Sequence, residues 1–249
     1  MTATHLYVLT GASRGMGAAM ARQLLAPDHA LLCLSRQRNA ALDAAGPGCE
    51  QWAIDLAQPV EAAARLSTWL GGHAAGAFAS ATLINNAAEL TRIGAVEDCG
   101  EAELSSALRV SLEAPLLLTA AFLRATRRWP ALRRVLNVSS GLGRRAMAGQ
   151  ASYCAAKAGL DHFTRALALD EAARPNGAKV VSLAPGVIDT DMQRQLRAGD
   201  PAGFPERANF VGLKENGQLT SPDDAAARVL AYLNRVDFGA NPVADVREA

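Results

Sequence analysis

The sequence has few cysteines and few histidines. The 249 residues include only four cysteines, which lie far apart: Cys33, Cys49, Cys99 and Cys154. No Cys-x-x-Cys pair occurs, so the pattern is typical of free thiols in a reducing compartment and not of a disulfide framework. The four histidines lack metal-ligand spacing and a neighbouring group of carboxylates. We therefore expect no bound metal.

An excess of charge of one sign is also missing. The chain has 25 basic and 24 acidic residues, which gives no electrostatic reason to expect nucleic acid or a membrane as a partner. The N-terminus lacks the pattern of a signal peptide. Residues 66–88 carry no charge, but glycine, histidine and asparagine interrupt them, so they do not predict a membrane span. We expect a cytoplasmic protein.

Short apolar runs alternate with helical patterns along the chain. Six runs predict strands covered on both faces, at 6–10, 30–35, 51–55, 82–85, 135–139 and 179–184. Helical patterns extend over 16–26, 60–70, 101–128 and 151–173. The alternation predicts an α/β fold with one domain over 1–249, a Rossmann-type doubly wound parallel sheet with helices on both faces. Residues 187–219, rich in glycine and proline, predict an irregular substrate lid.

A glycine-rich turn follows the first predicted strand and opens the first predicted helix. Glycines at such a turn let the backbone approach a pyrophosphate, whose charge then lies at the helix N-terminus. Glycine also occurs in ordinary turns, and the spacing is Gly-x-x-x-Gly-x-Gly, but the position between strand and helix indicates dinucleotide binding. The candidate residues are Gly11, Ser13, Arg14, Gly15, Met16 and Gly17.

The end of the second predicted strand bears on the choice of cofactor. It reads Ser35-Arg36, without the carboxylate that binds the ribose hydroxyls of NAD in many such folds. Arg36, with Arg14 across the turn, has the charge to hold a 2′-phosphate. The alternative is that both arginines are simply solvated. The pattern favours NADP(H).

Two rare residue types lie four positions apart on a predicted helix. The chain has three tyrosines and three lysines, yet Tyr153 and Lys157 share one helix face. A lysine ammonium lowers the pKa of a nearby phenol. Ser139 and Ser140 end the preceding strand, at the sheet edge where ligands bind. Each feature alone also fits packing or helix capping, but together they indicate carbonyl reduction.

These motifs, in this order, resemble those of the short-chain dehydrogenase/reductase family over nearly the whole chain. The matching segments lie at 10–17, 55–56, 85–88, 137–140, 153–157 and 184–190. The resemblance implies that Tyr153 is the general acid, that Lys157 binds the nicotinamide ribose and acidifies Tyr153, and that Ser140 polarises the carbonyl. It also implies further cofactor contacts at Asp55, Leu56, Asn85, Ala87, Pro185, Gly186, Ile188, Thr190 and Met192. Family members form dimers and tetramers, so we expect a homodimer or homotetramer.

Two positions depart from the family pattern. Ala88 replaces a glycine of the Asn-Asn-Ala-Gly motif, which predicts a small backbone adjustment. Ser111 stands where the long central helix usually carries an asparagine that supports a proton relay through water. Ser111 either holds a water itself as a catalytic residue or leaves the relay incomplete.

The C-terminal part resembles the sepiapterin reductase and benzil reductase branch of the family. In the sepiapterin reductase interpretation Asp245 anchors a pterin ring, whereas the benzil reductase interpretation needs only an apolar pocket. Candidate substrate contacts are Ser139, Ser140, Tyr153, Gly186 and Asp245. We expect an NADPH-dependent reductase of a small-molecule ketone, diketone or pterin side chain. The alternatives are an NADP-dependent alcohol dehydrogenase that acts oxidatively and a non-catalytic NADP-sensing protein.

Overall fold

One parallel sheet forms the centre of the molecule in the computed structural model, which describes residues 4–43 and 46–248. Within these residues the sheet has seven strands: β1 (His5–Thr10), β2 (His29–Ser35), β3 (Cys49–Ala53), β4 (Ser80–Asn85), β5 (Leu132–Val138), β6 (Lys179–Ala184) and β7 (Val243–Asp245). Their order is β3-β2-β1-β4-β5-β6-β7, and all neighbours are parallel. The strand order reverses between β1 and β4, which opens a crevice at the carboxyl ends of these strands.

Helices cover both faces of the sheet, so the predicted doubly wound α/β fold is confirmed. The described residues form α1 (Gly15–Gln23), α2 (Ala40–Asp43), α3 (Pro59–Gly71), α4 (Glu101–Leu108), α5 (Ala114–Ala125), α6 (Ala151–Ala172), α7 (Asp191–Arg197), α8 (Arg207–Glu215) and α9 (Pro222–Leu233). One apolar cluster joins α1 and α9 to the sheet, and a second joins α3 and α5 to the opposite face. Every residue of β4 is buried, as expected for a strand covered on both sides.

The long helix predicted over 101–128 is α4 and α5 joined by a π-helical turn, Arg109–Glu113. Among the described residues it is the one helix long and apolar enough to cross a membrane by length and composition alone. Half of its most apolar stretch is buried inside the protein, where Leu118 and Phe122 are fully enclosed and α5 packs against α3. It therefore occupies the position of a core helix. A π-helical turn within an α-helix is often found at a functional site.

The prediction of an irregular segment at 187–219 is wrong, because this stretch contains α7 and α8. We call it the α7–α8 segment (residues 187–219). Its glycines and prolines lie mainly in the connection between the two helices and just after α8, where Gly217 has a φ of +64°. Phe204, in that connection, is fully buried against Ile93, Met147 and Leu196. The segment thus has an apolar cluster distinct from the two clusters on the sheet faces.

Candidate active site

A cavity of about 1280 Å³ opens at the carboxyl edge of the sheet, between the β1–α1 turn and the α7–α8 segment. Most residues predicted for the site lie on its wall. They are Gly11, Ser13, Arg14, Gly15, Met16, Gly17, Ser35, Arg36, Leu56, Ala87, Ser139, Ser140, Tyr153, Lys157, Pro185, Gly186, Ile188, Thr190 and Met192. The structure therefore brings together residues from seven segments that are separate in sequence.

Four predicted site residues do not line this cavity: Asp55, Asn85, Ser111 and Asp245. Asn85 is buried in the sheet, where its amide nitrogen donates to Asn137 Oδ1 at 2.8 Å and to Thr119 Oγ1 at 3.1 Å. Asp55 is exposed, and its Oδ1 accepts a hydrogen bond from the backbone N–H of Ala57 at 3.0 Å. The Asn85 side chain therefore makes hydrogen bonds inside the core, and the Asp55 side chain stabilises the turn before α3.

The glycine-rich turn leaves backbone bare at one end of the cavity. A Cβ at Gly17 would collide with the carbonyl oxygen of Gly11, and Gly11 and Gly15 have φ values of +72° and +56°. Helix α1 begins at Gly15 and has no acidic residue in its first turn. Unshielded N–H groups at a helix N-terminus attract anions, so this end of the cavity fits the pyrophosphate of a dinucleotide.

The loop after β4 is tied to the glycine-rich turn. Thr10 Oγ1 accepts hydrogen bonds from the backbone N–H groups of Asn86 and Ala87 at 2.9 and 3.0 Å. Ala88 follows on the cavity wall. No described residue other than glycine has a positive φ, so the backbone at Ala88 accommodates a side chain without strain.

Arginines lie at the mouth of the cavity. Arg36, at the end of β2, is exposed on the wall, and Ser35 beside it donates a hydrogen bond to the carbonyl oxygen of Gln37 at 2.8 Å. Arg14 donates to Asp191 Oδ2 at 3.0 Å, so its guanidinium is paired with the first residue of α7. Both arginines were predicted to bind a 2′-phosphate. Arg14 would have to leave Asp191 before it could do so.

Helix α6 presents Tyr153 and Lys157 to the cavity from one face. Lys157 Nζ lies 5.6 Å from the centre of the Tyr153 ring and donates a hydrogen bond to the carbonyl oxygen of Val138 at 2.7 Å. Ser140 lies beside Tyr153, and its Oγ accepts a hydrogen bond from the backbone N–H of Leu142 at 3.1 Å. A hydroxyl, a phenol and an ammonium group are therefore held side by side.

Burial sets the protonation of this group. It raises the pKa of Tyr153 from 10.0 to about 12, against a smaller opposing effect of the nearby Ser140 hydroxyl. Burial also lowers the pKa of Lys157 from 10.5 to about 8, which the negative charge of Asp161 opposes. Near pH 7 the phenol carries its proton and the amine is charged. The site thus holds a proton donor beside a cation.

Ser111 lies in the π-helical turn and is 1% exposed. Its Oγ accepts a hydrogen bond from the backbone N–H of Glu89 at 3.0 Å and lies 3.4 Å from the carbonyl oxygen of the same residue. The hydroxyl therefore fixes the loop after β4 to the central helix. Its neighbour Val110, and not Ser111, reaches the cavity wall.

Asp245 is 3% exposed, and both oxygens of its carboxylate are hydrogen-bonded to Arg247. Oδ1 accepts hydrogen bonds from the backbone N–H and the Nε of Arg247 at 3.0 and 2.8 Å, and Oδ2 accepts from Nη2 at 2.6 Å. The hydrogen bonds from Arg247 hold the pKa of Asp245 below its usual value. It is Arg247 that lines the cavity.

Many residues on the wall of the cavity were not predicted from sequence patterns. The unpredicted lining residues include apolar ones, Leu90, Leu142, Met147, Leu196 and Phe210, and polar ones, among them Glu89, Arg145, Gln150 and Arg247. Leu142 and Met147 lie between Ser140 and Tyr153 in sequence, so their place near the site could have been predicted. No signal in the sequence marked Phe210, because its place depends on the packing of α8. In the described residues no group of three or more histidine, cysteine or acidic side chains is arranged to hold a metal.

Comparisons with known proteins identify the family. The family model for short chain dehydrogenase matches residues 5–201. A benzil reductase ((S)-benzoin forming) from Bacillus cereus is 31% identical over 97% of this chain and 98% of its own length. A sepiapterin reductase from Xenopus tropicalis is 34% identical over 92% of this chain and 90% of its own. The crystal structure of a metagenomic short-chain oxidoreductase in complex with NADP is 26% identical, with a TM-score of 0.71 over 98% of this chain and 96% of that one. The chain belongs to the short-chain dehydrogenase/reductase family and is an oxidoreductase.

Proposed function

We propose that this protein is an NADPH-dependent carbonyl reductase whose substrate is an apolar ketone or diketone. The observation that carries the proposal is the juxtaposition of Ser140, Tyr153 and Lys157 on the wall of a cavity whose other end is the bare glycine-rich turn. A proton donor and a cofactor site facing one space are what hydride transfer to a carbonyl requires.

NADPH is favoured over NADH by charge. At the end of β2, Ser35, Arg36 and Gln37 line the cavity, and none of them is a carboxylate that would repel a 2′-phosphate. Arg36 is exposed there, where its guanidinium has access to a phosphate. The NADP complex of the similar metagenomic oxidoreductase agrees with this choice.

Each side chain has a part in the reaction. The nicotinamide, when bound, supplies the hydride. Ser140 donates a hydrogen bond to the substrate oxygen as negative charge develops there. Tyr153 delivers its proton to the same oxygen, because its phenol is protonated near pH 7. Lys157 contributes a positive charge that favours loss of the phenol proton and holds the ribose.

The substrate side favours the benzil type of substrate over a pterin. The wall is largely apolar, with Leu142, Met147 and Phe210 among its residues. The carboxylate of Asp245 is buried, does not line the cavity and is paired with the exposed Arg247, so a pterin ring would have to displace Arg247 to reach it. An aromatic diketone needs no contact with this carboxylate.

An NADPH-oxidation screen tests the proposal. The purified protein would be assayed against aromatic diketones, pterin carbonyls, quinones and simple ketones, and in reverse with NADP⁺ and the matching alcohols. We expect the highest kcat/KM for aromatic diketones, and Tyr153→Phe should remove this activity. A higher kcat/KM for pterins would contradict the substrate assignment, and no reduction of any carbonyl would contradict the proposed function.

A further inference from the structure

A carboxylate that no step of the proposed reaction uses is buried beneath the site. Asp161 lies on α6 one helical turn after Lys157 and is 1% exposed. Ser139 Oγ and Ser182 Oγ both donate hydrogen bonds to its Oδ1 at 2.6 Å, and Arg144 Nε lies 3.4 Å from its Oδ2. A buried charge is costly unless its partners compensate for it. Two hydroxyl donors and one guanidinium provide this compensation at Asp161.

The partners of Asp161 surround the catalytic hydroxyl in sequence. Ser139 precedes Ser140, and Arg144 closes the short turn that follows it. At Gly143 the turn lies directly on α6, since a Cβ there would be 2.7 Å from Asp161 Oδ2 and 2.9 Å from the carbonyl oxygen of Lys157. Asp161 therefore holds both ends of the segment that presents Ser140 to Tyr153.

Arg144 extends this arrangement to the C-terminal part of the chain. Its Nη2 donates a hydrogen bond to the carbonyl oxygen of Ala244 at 3.1 Å, next to the pair formed by Asp245 and Arg247. The same guanidinium thus links Asp161 to β7. The turn that carries Ser140 is fixed from α6 and from the edge of the sheet.

Asp161 also faces the charged groups of the site. The titratable groups around it are Lys157 on α6, Arg144 from the turn after β5, and Asp245 with Arg247 beyond that guanidinium. Ser139, directly after β5, and Ser182 on β6 contribute hydroxyls that donate hydrogen bonds to it. Asp161 is the group that opposes the effect of burial on the Lys157 amine. Its charge stabilises the protonated form of that amine.

We propose that Asp161 is a positioning residue: it holds the turn that presents Ser140 and keeps the Lys157 amine charged in its buried place. It acts through these two side chains and touches neither substrate nor cofactor. The part that concerns catalysis rests on the proposed function, whereas the part that concerns Lys157 is a property of the protein alone. The substrate, the cofactor and the charge of Lys157 can therefore be tested separately.

The charge of Lys157 can be followed by NMR without cofactor. The chain has three lysines, so protein labelled with ¹³C at the lysine Cε gives three resonances, and Lys157→Arg assigns the one that matters. We expect the Lys157 resonance to titrate near pH 8 in the parent protein. In Asp161→Asn, which keeps the size and removes the charge, the midpoint should move to lower pH by about one pH unit. An unchanged midpoint in Asp161→Asn would overturn the proposal.

Two variants of the same cluster serve as controls. Ser182→Ala removes one hydrogen bond to Asp161 but keeps the charge, so the Lys157 midpoint should stay close to that of the parent. Arg144→Gln removes a cation that competes for Asp161, so the midpoint should rise. If Asp161→Asn does not fold, an unchanged midpoint in Arg144→Gln overturns the proposal instead.

The enzymatic consequence is read from the pH profile of reduction. The alkaline limit of activity in Asp161→Asn should move to lower pH together with the Lys157 midpoint, while a merely structural role would lower the melting temperature and leave that limit in place. A shifted midpoint with an unshifted limit contradicts the catalytic part. If the parent reduces no carbonyl, the proposed function fails, and the titration still decides the role of Asp161.

Discussion

Arg14 in the glycine-rich turn is hydrogen-bonded to Asp191 at the start of α7, with 3.0 Å between Nη1 and Oδ2. The pair spans the mouth of the cavity, and Asp191 also pairs with Arg194. A phosphate bound by Arg14 would compete with this carboxylate. Because both side chains are exposed, the pair contributes little to stability, and exchanging it costs little.

The first prediction concerns this pair. Asp191→Asn should bind NADPH more tightly, by a factor of up to about five, because Arg14 no longer has to leave a carboxylate. The affinity for NADH should change less, since NADH lacks the 2′-phosphate. Fluorescence titration with both cofactors measures the two dissociation constants. Asp223→Asn is a matched control, because it breaks a similar exposed pair with Arg22 on the surface.

The choice of cofactor gives a second prediction. NADPH should bind at least about tenfold tighter than NADH, a difference of about 1.4 kcal/mol, and Arg36→Asp should narrow or reverse this ratio. Titration calorimetry on the parent and on Arg36→Asp measures the dissociation constants for NADPH and NADH. Arg38→Asp is the control, since Arg38 lies two residues further on and pairs with Asp43. Equal dissociation constants in the parent protein would contradict the role of Arg36.

A third prediction separates chemistry from binding. Tyr153→Phe removes only the hydroxyl, so the affinity for NADPH should persist while kcat falls by a factor on the order of 100 or more. Lys157→Ala should lower both the affinity for NADPH and kcat. Tyr232→Phe, which changes a tyrosine of α9 that does not line the cavity, should leave kcat as in the parent. Near-normal turnover in Tyr153→Phe would refute the proposed acid.

The pair of Asp245 with Arg247 gives a fourth prediction. If the substrate is an apolar diketone, Asp245→Ala should change kcat/KM for aromatic diketones by less than about threefold, because the carboxylate makes no contact with it. A pterin anchored by Asp245 would instead lose about ten- to a hundredfold. Asp237→Ala is the control, since it breaks an Arg–Asp pair of the same two-residue spacing with Arg235.

The buried lysine gives a fifth prediction, for stability against pH. Lys157 has a pKa of about 8 in the fold against 10.5 when exposed, so between these values the unfolded chain binds more protons. Relative to Lys157→Met, the parent should therefore gain up to about 3 kcal/mol in its free energy of unfolding as the pH rises through this window. Burial raises the pKa of the Cys33 thiol, but this effect is present in both proteins and cancels.

Urea denaturation at a series of pH values measures this difference. Lys179→Met removes an exposed lysine and should show no such gain relative to the parent. A parent and a Lys157→Met protein whose unfolding free energies run parallel from pH 7 to pH 11 would show that Lys157 is not depressed by burial.

The sequence predicted what depends on local pattern. The period of the apolar residues placed Tyr153 and Lys157 on one face of α6, and the glycine-rich turn was evident from its position between β1 and α1. Helix α9 was missed although Ser221 accepts a hydrogen bond from the backbone N–H of Asp224, with a proline at the first helical position. These are ordinary signals of a helix start.

What the sequence did not predict depends on contacts between distant segments. Strand β7 has only three residues and exists because it pairs with β6. The pairing of Arg247 with Asp245 takes the predicted pterin anchor out of the cavity, and nothing in the spacing shows which of the two faces the substrate. Helix α7 follows from the burial of Leu196 against Phe204, across a connection whose glycines and prolines conceal the helical pattern.

The apolar cluster around Phe204 holds the α7–α8 segment separately from the packing of the main helices on the sheet. Phe204 is seated on Ile93, Met147 and Leu196, apart from the clusters that join the main helices to the strands. Substitutions that reshape α7 and α8 therefore act on a cluster apart from the sheet, which reaches α6 through the half-buried Cys154. A chimera that receives this segment from a relative should therefore keep its fold so long as position 204 stays aromatic.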